Sequence, residues 1–251
     1  MEENYPVLPG AEAFYQEGND LGILVVHGFT GSPQSMRPLA ETYAKSGFTV
    51  AMPRLSGHGT HYEDMEKTTY KDWVASVEEA LGWLKERTSF QFVVGLSMGG
   101  TLALHLAEQH DDLKGIVLIN AAIEMQQMEA LREEENQSRY LESIHSDIQK
   151  EGVQELAYDK VPYASVIQLL DLLHGVRADL ADVHCPALIF VSDEDHVVPP
   201  DNAQYIFDTI FSEHTELVHL ENSYHVATLD NDFDLIIERS LEFFQQYTMT
   251  K

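Results

Sequence analysis

The 251-residue chain contains a single cysteine, Cys185, so no disulfide can form within it. A lone thiol fits a reducing compartment, where structural disulfides are rare. Beside Pro186, at the head of an apolar run, Cys185 reads as a small buried or half-buried side chain. Long apolar runs are missing too. Nothing approaches the roughly 18 consecutive apolar residues of a bilayer span, although 44% of the residues are hydrophobic, enough for a sizeable core. The opening stretch MEENYPVLPGAEAF has no basic region and no apolar segment, and is not expected to act as a secretory signal. A cytoplasmic protein is the expectation. Positive charge is equally scarce: 15 Lys and Arg stand against 42 Asp and Glu, a net charge of −27. Such a surface repels phosphate backbones and anionic headgroups, which argues against nucleic acid as a partner and against stable anchoring on an acidic membrane.

What is present is an alternation of short β-rich runs with amphipathic helical patterns, the signature of a mainly parallel α/β sheet. LGILVV from Leu21, FTVAMP from Phe48, QFVVG from Gln91, GIVLIN ending at Asn120, ALIFVS from Ala187 and ELVHL from Glu216 read as strands. Helices are predicted over Gln34–Lys45, Lys71–Arg87, from about Met98, and from Asp232 to Gln246. In the second of these, Trp73, Val77, Leu81 and Leu84 recur at spacings of three and four. Between about Ile123 and Leu180 the rhythm breaks: no strand-like run is visible, and Glu, Gln, Met and Leu abound. A structureless loop of that length does not suit a compact domain. The segment is therefore expected to be a helical insertion, residues 123–180, covering one end of a core formed by 1–122 and 181–251.

Ser97 lies in Gly95-Leu96-Ser97-Met98-Gly99, a G-x-S-x-G pattern with a strand directly before it and a helix directly after. That context is what a nucleophile elbow requires. A serine hydroxyl needs a base, and the sequence holds twelve histidines. Chain order selects among them, because the arrangement nucleophile, acid, histidine ends on a loop after the last strand. His225 in ENSYHVATLD has that position; His58, His61, His105, His110, His214 and His219 do not. VSDEDHVVPP offers Asp193, Glu194 and Asp195 as the acid, and spacing alone does not separate Asp193 from Asp195. Backbone N–H groups of Met98 and of Phe29, in HGFTGSP after the first strand, are the expected donors to an oxyanion. His27 in the same loop is read as structural. The chemistry calls for neither metal nor organic cofactor.

HGFTGSPQSMRPLAE, PRLSGHGTHYEDME, DWVASVEE, GLSMGGTLAL, CPALIFVSDEDHVVPP and NSYHVATLD together closely resemble the α/β-hydrolases of the carboxylesterase and monoacylglycerol lipase group, bacterial monoacylglycerol lipases above all. The resemblance implies an α/β-hydrolase fold, with the insertion as a helical cap between strands 6 and 7. It implies a triad of Ser97, Asp195 and His225, with an oxyanion hole from Phe29 and Met98, and it implies Glu155 near a glycerol headgroup. The substrate implied is a small lipid ester, with at most transient membrane or micelle contact through the cap. Ile144, Ile148, Val166, Leu169, Leu170 and Leu173 are expected either to line an acyl tunnel or to pack the cap on the sheet. Met125 and Met128 are open to the same two readings.

Overall fold

The structure is a computed structural model, and it describes residues 3–132, 138–143 and 146–248. In chain order the elements are β1 (Phe14–Gln16), β2 (Leu21–Val26), α1 (Arg37–Lys45), β3 (Thr49–Met52), α2 (Tyr62–Met65), α3 (Tyr70–Lys85), β4 (Phe90–Leu96), α4 (Met98–Gln109) and β5 (Gly115–Ile119). There follow α5 (Gln126–Glu129), β6 (Tyr140–Glu142), β7 (Lys160–Pro162), α6 (Tyr163–Asp179), β8 (Ala187–Ser192), α7 (Asp201–Thr209), β9 (Thr215–Leu220) and α8 (Phe233–Thr248). Seven strands form one sheet in the order β1-β3-β2-β4-β5-β8-β9. Every pairing is parallel except that of β1, which lies antiparallel to β3 at one edge.

The strands are apolar without interruption because both faces of the sheet are covered. Along β2, Leu24 and Val26 enter one core cluster, with α3, α4 and α6 residues such as Trp73, Leu102 and Leu169. Ile23 and Val25 enter the other, with Tyr43 of α1 and Phe244 of α8. The mainly parallel α/β-hydrolase architecture expected from the sequence is thus the one observed. Trp73, Val77, Leu81 and Leu84 are all buried along α3, which begins with a Thr69/Asp72 capping box. The first helix starts at Arg37 rather than Gln34, after a 3-10 turn over Pro33–Ser35. Pro38 explains the shift, since proline has no N–H to give and suits only the first turn.

Three further departures concern short elements. β1, with three residues, is too brief to show a period. The nine-residue α7 was not expected. The insertion also departs from an all-helical reading: among its described residues α6 is the one long helix, and β6 and β7 pair antiparallel, Leu141 opposite Val161. Counted along this seven-stranded sheet, the insertion leaves from the fifth strand, β5, and returns into the sixth, β8. The expected position between strands 6 and 7 assumes one more strand than this sheet contains.

β2 pairs on one side with β3 and on the other with β4. The chain therefore reverses its direction of travel across the sheet between β2 and β4, and a crevice opens beyond the C-terminal ends of those strands. The loops after β2, β4, β8 and β9 all emerge at that end. The insertion covers it through Ser32 Oγ donating to Leu156 O at 2.9 Å, Tyr158 N–H to Thr30 O at 3.1 Å and Tyr158 O–H to Gly57 O at 2.7 Å.

The turn from β4 into α4 is the tightest point of this arrangement. A Cβ on Gly95 would stand 2.1 Å from the Gly99 carbonyl oxygen, and one on Gly99 would stand 2.2 Å from that of Val26. Both obstacles are backbone and cannot rotate away. Gly95→Ala should therefore destabilise the fold by at least the roughly 1–3 kcal/mol typical of overpacking, read as a lowered midpoint in urea unfolding.

Candidate active site

Ser97 stands at the end of β4 with φ 56° and ψ −121°, a conformation that side-chain-bearing residues rarely adopt. Strain of this kind costs on the order of 1–3 kcal/mol and persists where the surroundings over-determine it. Here they do. Ser97 N–H donates to Ile119 O at 2.9 Å, while Ser97 O accepts from Gly100 N–H at 2.9 Å and Ala122 N–H at 3.3 Å. The side chain projects into a cavity at the N-terminus of α4, whose exposed N–H groups favour negative charge. Met98 is the first residue of that helix, so its N–H has no carbonyl four residues back within the helix to bond.

The histidine and the acid meet. His225 Nδ1 and Asp195 Oδ2 are 2.8 Å apart, with 8% and 1% of their side chains exposed. The other oxygen, Asp195 Oδ1, accepts from Val197 N–H and Val198 N–H, both at 2.8 Å, which locks the carboxylate in place. Asp193 turns away to pair with His219, and Glu194 pairs with His196 on the surface. Of the two aspartates that spacing left open, Asp195 is the one in contact with His225. With Nδ1–H donating to Asp195, Nε2 keeps its lone pair. Burial by itself depresses the His225 pKa, but the Asp195 carboxylate, with Glu155 and Asp147 adding to it, raises it overall above the ordinary 6.5.

The loop after β2 carries Phe29 to the same cavity, and His27 holds the loop's shape. His27 Nδ1–H donates to Gly28 O at 3.0 Å, and Nε2 accepts from Leu55 N–H at 3.2 Å. Complete burial, with His58 nearby, pushes its pKa down to about 3, so both ring nitrogens are committed in the neutral form. The Phe29 ring packs edge-on against Trp73, with centroids 5.7 Å apart. His27 is therefore a structural residue.

The cavity lies between the insertion and the loops after β2, β4, β8 and β9. Ser97, His225, Phe29 and Met98 all line it. Of the insertion residues singled out from the sequence, Glu155, Val166, Leu169, Met125 and Met128 belong to its wall. Leu170 and Leu173 do not: they are buried in the core cluster that α6 shares with α3 and α4. α6 is apolar nearly all round because it packs against α3 and α4 as well as against the cavity, so hydrophobicity alone could not tell its faces apart. Ile148 packs against the opposite core cluster, and Ile144 lies outside the described residues. Glu155 sits over the loop after β2, close enough that a Cβ on Gly31 would meet its Oε1 at 2.7 Å. Burial raises its pKa, against the opposing pull of His225 and a hydrogen bond from Ser35.

Sequence reasoning missed Leu131, Leu141, Val161 and Asp147 of the wall. Leu141 and Val161 arrive together because they face each other in the β6–β7 pair, whose three-residue strands show no periodicity. It also missed Asn120 at φ 45°, whose side-chain amide donates to Ser192 Oγ at 2.9 Å and His225 O at 2.8 Å. Cys185 is half-buried, its thiol pushed up to about 12 by burial. Among the described residues no group of three or more His, Cys, Asp or Glu side chains is arranged to hold a metal, and no helix is long and apolar enough to cross a membrane.

The family model Hydrolase_4, described as serine aminopeptidase, S33, matches residues 19–232. The chain belongs to the Hydrolase_4 family. It is 61% identical, over 248 residues covering 98% of this chain and 99% of the relative, to the thermostable monoacylglycerol lipase of Bacillus sp. (strain H-257). It is 27% identical over 239 residues, 93% of this chain and 96% of the relative, to a carboxylesterase of Bacillus subtilis (strain 168). Among solved structures, one from work on the metagenome-derived lipolytic enzymes LipS and LipT aligns with a TM-score of 0.94 and 50% identity, over 96% of this chain and 100% of that one. The monoacylglycerol lipase of Paleococcus ferrophilus aligns with a TM-score of 0.76 over 94% of this chain and 99% of its own, at 16% identity, which shows a shared fold alone.

The charge balance at His225 gives a direct test. Asp195→Asn keeps the shape of the acid and removes its charge, so the imidazole should lose its main stabilising partner and its pKa should fall. An NMR titration of the His225 ring in the two proteins reads the direction.

Proposed function

We propose that this Hydrolase_4 protein is a serine ester hydrolase that cleaves monoacylglycerols to a fatty acid and glycerol through an acyl-enzyme on Ser97. The observation that carries this reading is the 61% identity to a monoacylglycerol lipase over 98% of the chain, which takes in the cavity-lining insertion as well as the sheet. The apolar lining supports it, since Met125, Met128, Leu131, Leu141, Val161, Val166 and Leu169 suit an acyl chain. On this reading residues 1–122 and 181–251 are the catalytic core, and 123–180 are a cap that selects substrate and meets membranes or micelles at most transiently. The net charge of −27 disfavours nucleic acid as a partner, and the single cysteine favours a cytoplasmic site of action.

In acylation, His225 Nε2 takes the proton of Ser97 as its Oγ attacks the ester carbonyl. The Phe29 and Met98 N–H groups receive the negative oxygen of the tetrahedral intermediate, and each such donor contributes about 2.7–4 kcal/mol to lowering the barrier. Asp195 keeps the imidazole oriented and stabilises its charged form. As the intermediate collapses, His225 returns the proton to the departing glycerol oxygen. Water then attacks the acyl-enzyme, His225 takes its proton, and the fatty acid leaves Ser97 with its hydroxyl restored. Glu155, half-buried in the cap over this site, can hydrogen-bond a glycerol hydroxyl.

A general carboxylesterase of short-to-medium-chain esters is the second reading, supported by the Bacillus subtilis relative. A chain-length series separates the two: turnover of monoacylglycerols with medium and long acyl chains supports the first, and activity confined to two-to-four-carbon esters rejects it. Ser97→Ala should abolish hydrolysis and labelling by a fluorophosphonate while leaving the unfolding midpoint near normal. Because His225 must be neutral to act as base and its pKa is raised, kcat/KM should increase with pH through a limb centred above 6.5. A limb centred below 6.5 would contradict the electrostatics described here.

A further inference from the structure

Asp147, a cap residue 78 positions before His225 in the chain, touches both loops of the proposed acid–base pair. Its Oδ2 accepts from His225 N–H at 3.2 Å and from His196 N–H at 3.1 Å. Its Oδ1 pairs with His196 Nδ1 at 2.8 Å, and its main-chain oxygen accepts from Val226 N–H at 3.0 Å. His196 directly follows Asp195. One carboxylate therefore clamps the residue after the acid and the backbone of the histidine itself. Only 12% of the Asp147 side chain is exposed, and the residue lines the cavity beside Ser97. The attachment continues one turn further, where Asp230 accepts from Gln149 N–H at 2.7 Å and Lys150 N–H at 2.9 Å while also holding Tyr224 N–H at 2.9 Å. The strap 146–150 is thus stapled along the loop 224–230.

We infer that Asp147 is a positioning residue, through which the cap assembles the Asp195–His225 pair, so that seating of the cap and readiness of the base are coupled. The inference rests on the Ser97 reading above. Physically it follows from where the bonds go. The core holds the loop after β9 by its carbonyl oxygens, Tyr224 O through Ser192 Oγ and His225 O through the Asn120 amide. The N–H side of His225 is held by the cap alone among the contacts described. A base displaced by about 1 Å from its working position costs up to roughly a hundredfold in rate. Asp147 also acts at a distance through its charge. Around His225 stand three carboxylates, Asp195 from the core and Glu155 and Asp147 from the cap, and each favours the imidazolium. On its outer side Asp147 faces His196, whose pKa it raises, with Glu194 adding to the effect.

Asp147→Asn tests this, because the amide has nearly the shape of the carboxylate but neither its charge nor its second acceptor oxygen. One of the N–H groups that share Oδ2 or the His196 ring then faces an amide NH2. The expected result is a fall of roughly ten- to a hundredfold in kcat with KM little changed, slower labelling of Ser97 by a fluorophosphonate, and an acid limb of kcat/KM moved to lower pH. Asp147→Glu, which restores the charge but not the reach, should return the limb toward its original position while kcat stays reduced. If Asp147→Ala unfolds, the asparagine and glutamate variants still decide the matter. A folded Asp147→Asn with unchanged kcat and an unmoved limb overturns the inference. So does a variant with a lowered melting temperature whose kcat and pH profile per folded molecule match the parent. Failure of the underlying reading looks different: the parent itself would then keep its turnover in Ser97→Ala.

Discussion

The left-handed backbone at Ser97 is the constraint on which the rest of the site depends. It exists because β2, β4 and the start of α4 approach so closely that Gly95 and Gly99 leave no space for a side chain. The same approach makes β2 and β4 neighbours in the sheet and puts the loop carrying Phe29 beside the serine. The strain is held from beyond the turn by two hydrogen bonds, to Ile119 O at the end of β5 and from Ala122 N–H just after it. A loosened sheet would let the turn relax, and the hydroxyl would leave the cavity. Stability of the parallel sheet and the aim of Ser97 are one property in this protein.

The parts of this arrangement that were legible in the sequence are those encoded locally. The strand before Ser97, the helix after it and the glycines between are contiguous, so motif and context could be read together. The buried face of α3 was legible for the same reason, as Trp73, Val77, Leu81 and Leu84 repeat at helical spacing. Chain order pointed to His225, the histidine that lies against Asp195 in the structure. What stayed hidden depends on contacts between distant segments. Asp193 and Asp195 are two residues apart, and only the pairing of the former with His219 and the latter with His225 distinguishes them. Asp147 reaches His225 across 78 positions, with no spacing to betray it. The β6–β7 pair has strands of three residues, shorter than any alternation that could announce them.

The insertion illustrates why composition misleads in such segments. Its lack of strand-like runs suggests a helical insertion, and its apolar residues are open to lining an acyl tunnel or to packing on the sheet. α6 did form, yet it packs against α3 and α4 as well as the cavity, and a helix with several buried faces carries no single apolar stripe to read. Val166 and Leu169 reach the cavity while Leu170 and Leu173, chemically equivalent, fill the core. Much of the remaining segment is held by hydrogen bonds to the core, from Ser32, Gln34 and Asp230 among others. The insertion is thus seated in two ways, by the apolar packing of α6 on α3 and α4 and by polar contacts to the loops beneath the rest of it.

Three buried histidines show how the surroundings, rather than burial, decide chemical role. His27 and His58 lie side by side under the loop after β2, with ring centroids 5.3 Å apart. Burial takes their pKa values down to about 3 and about 4, and no carboxylate opposes it. Near neutral pH they are uncharged, and they hold backbone, His27 through both ring nitrogens and His58 through Nδ1 to Ser56 O. His225 suffers the same desolvation, yet its pKa rises because Asp195, Glu155 and Asp147 surround it. Only such an imidazole can accept a proton inside the cavity at small cost and hand it on. The acidic composition that first marked the sequence thus has a local counterpart at the site, where two of the three carboxylates come from the cap. In the proposed mechanism, proton transfer at Ser97 draws on charge that the sheet alone does not provide.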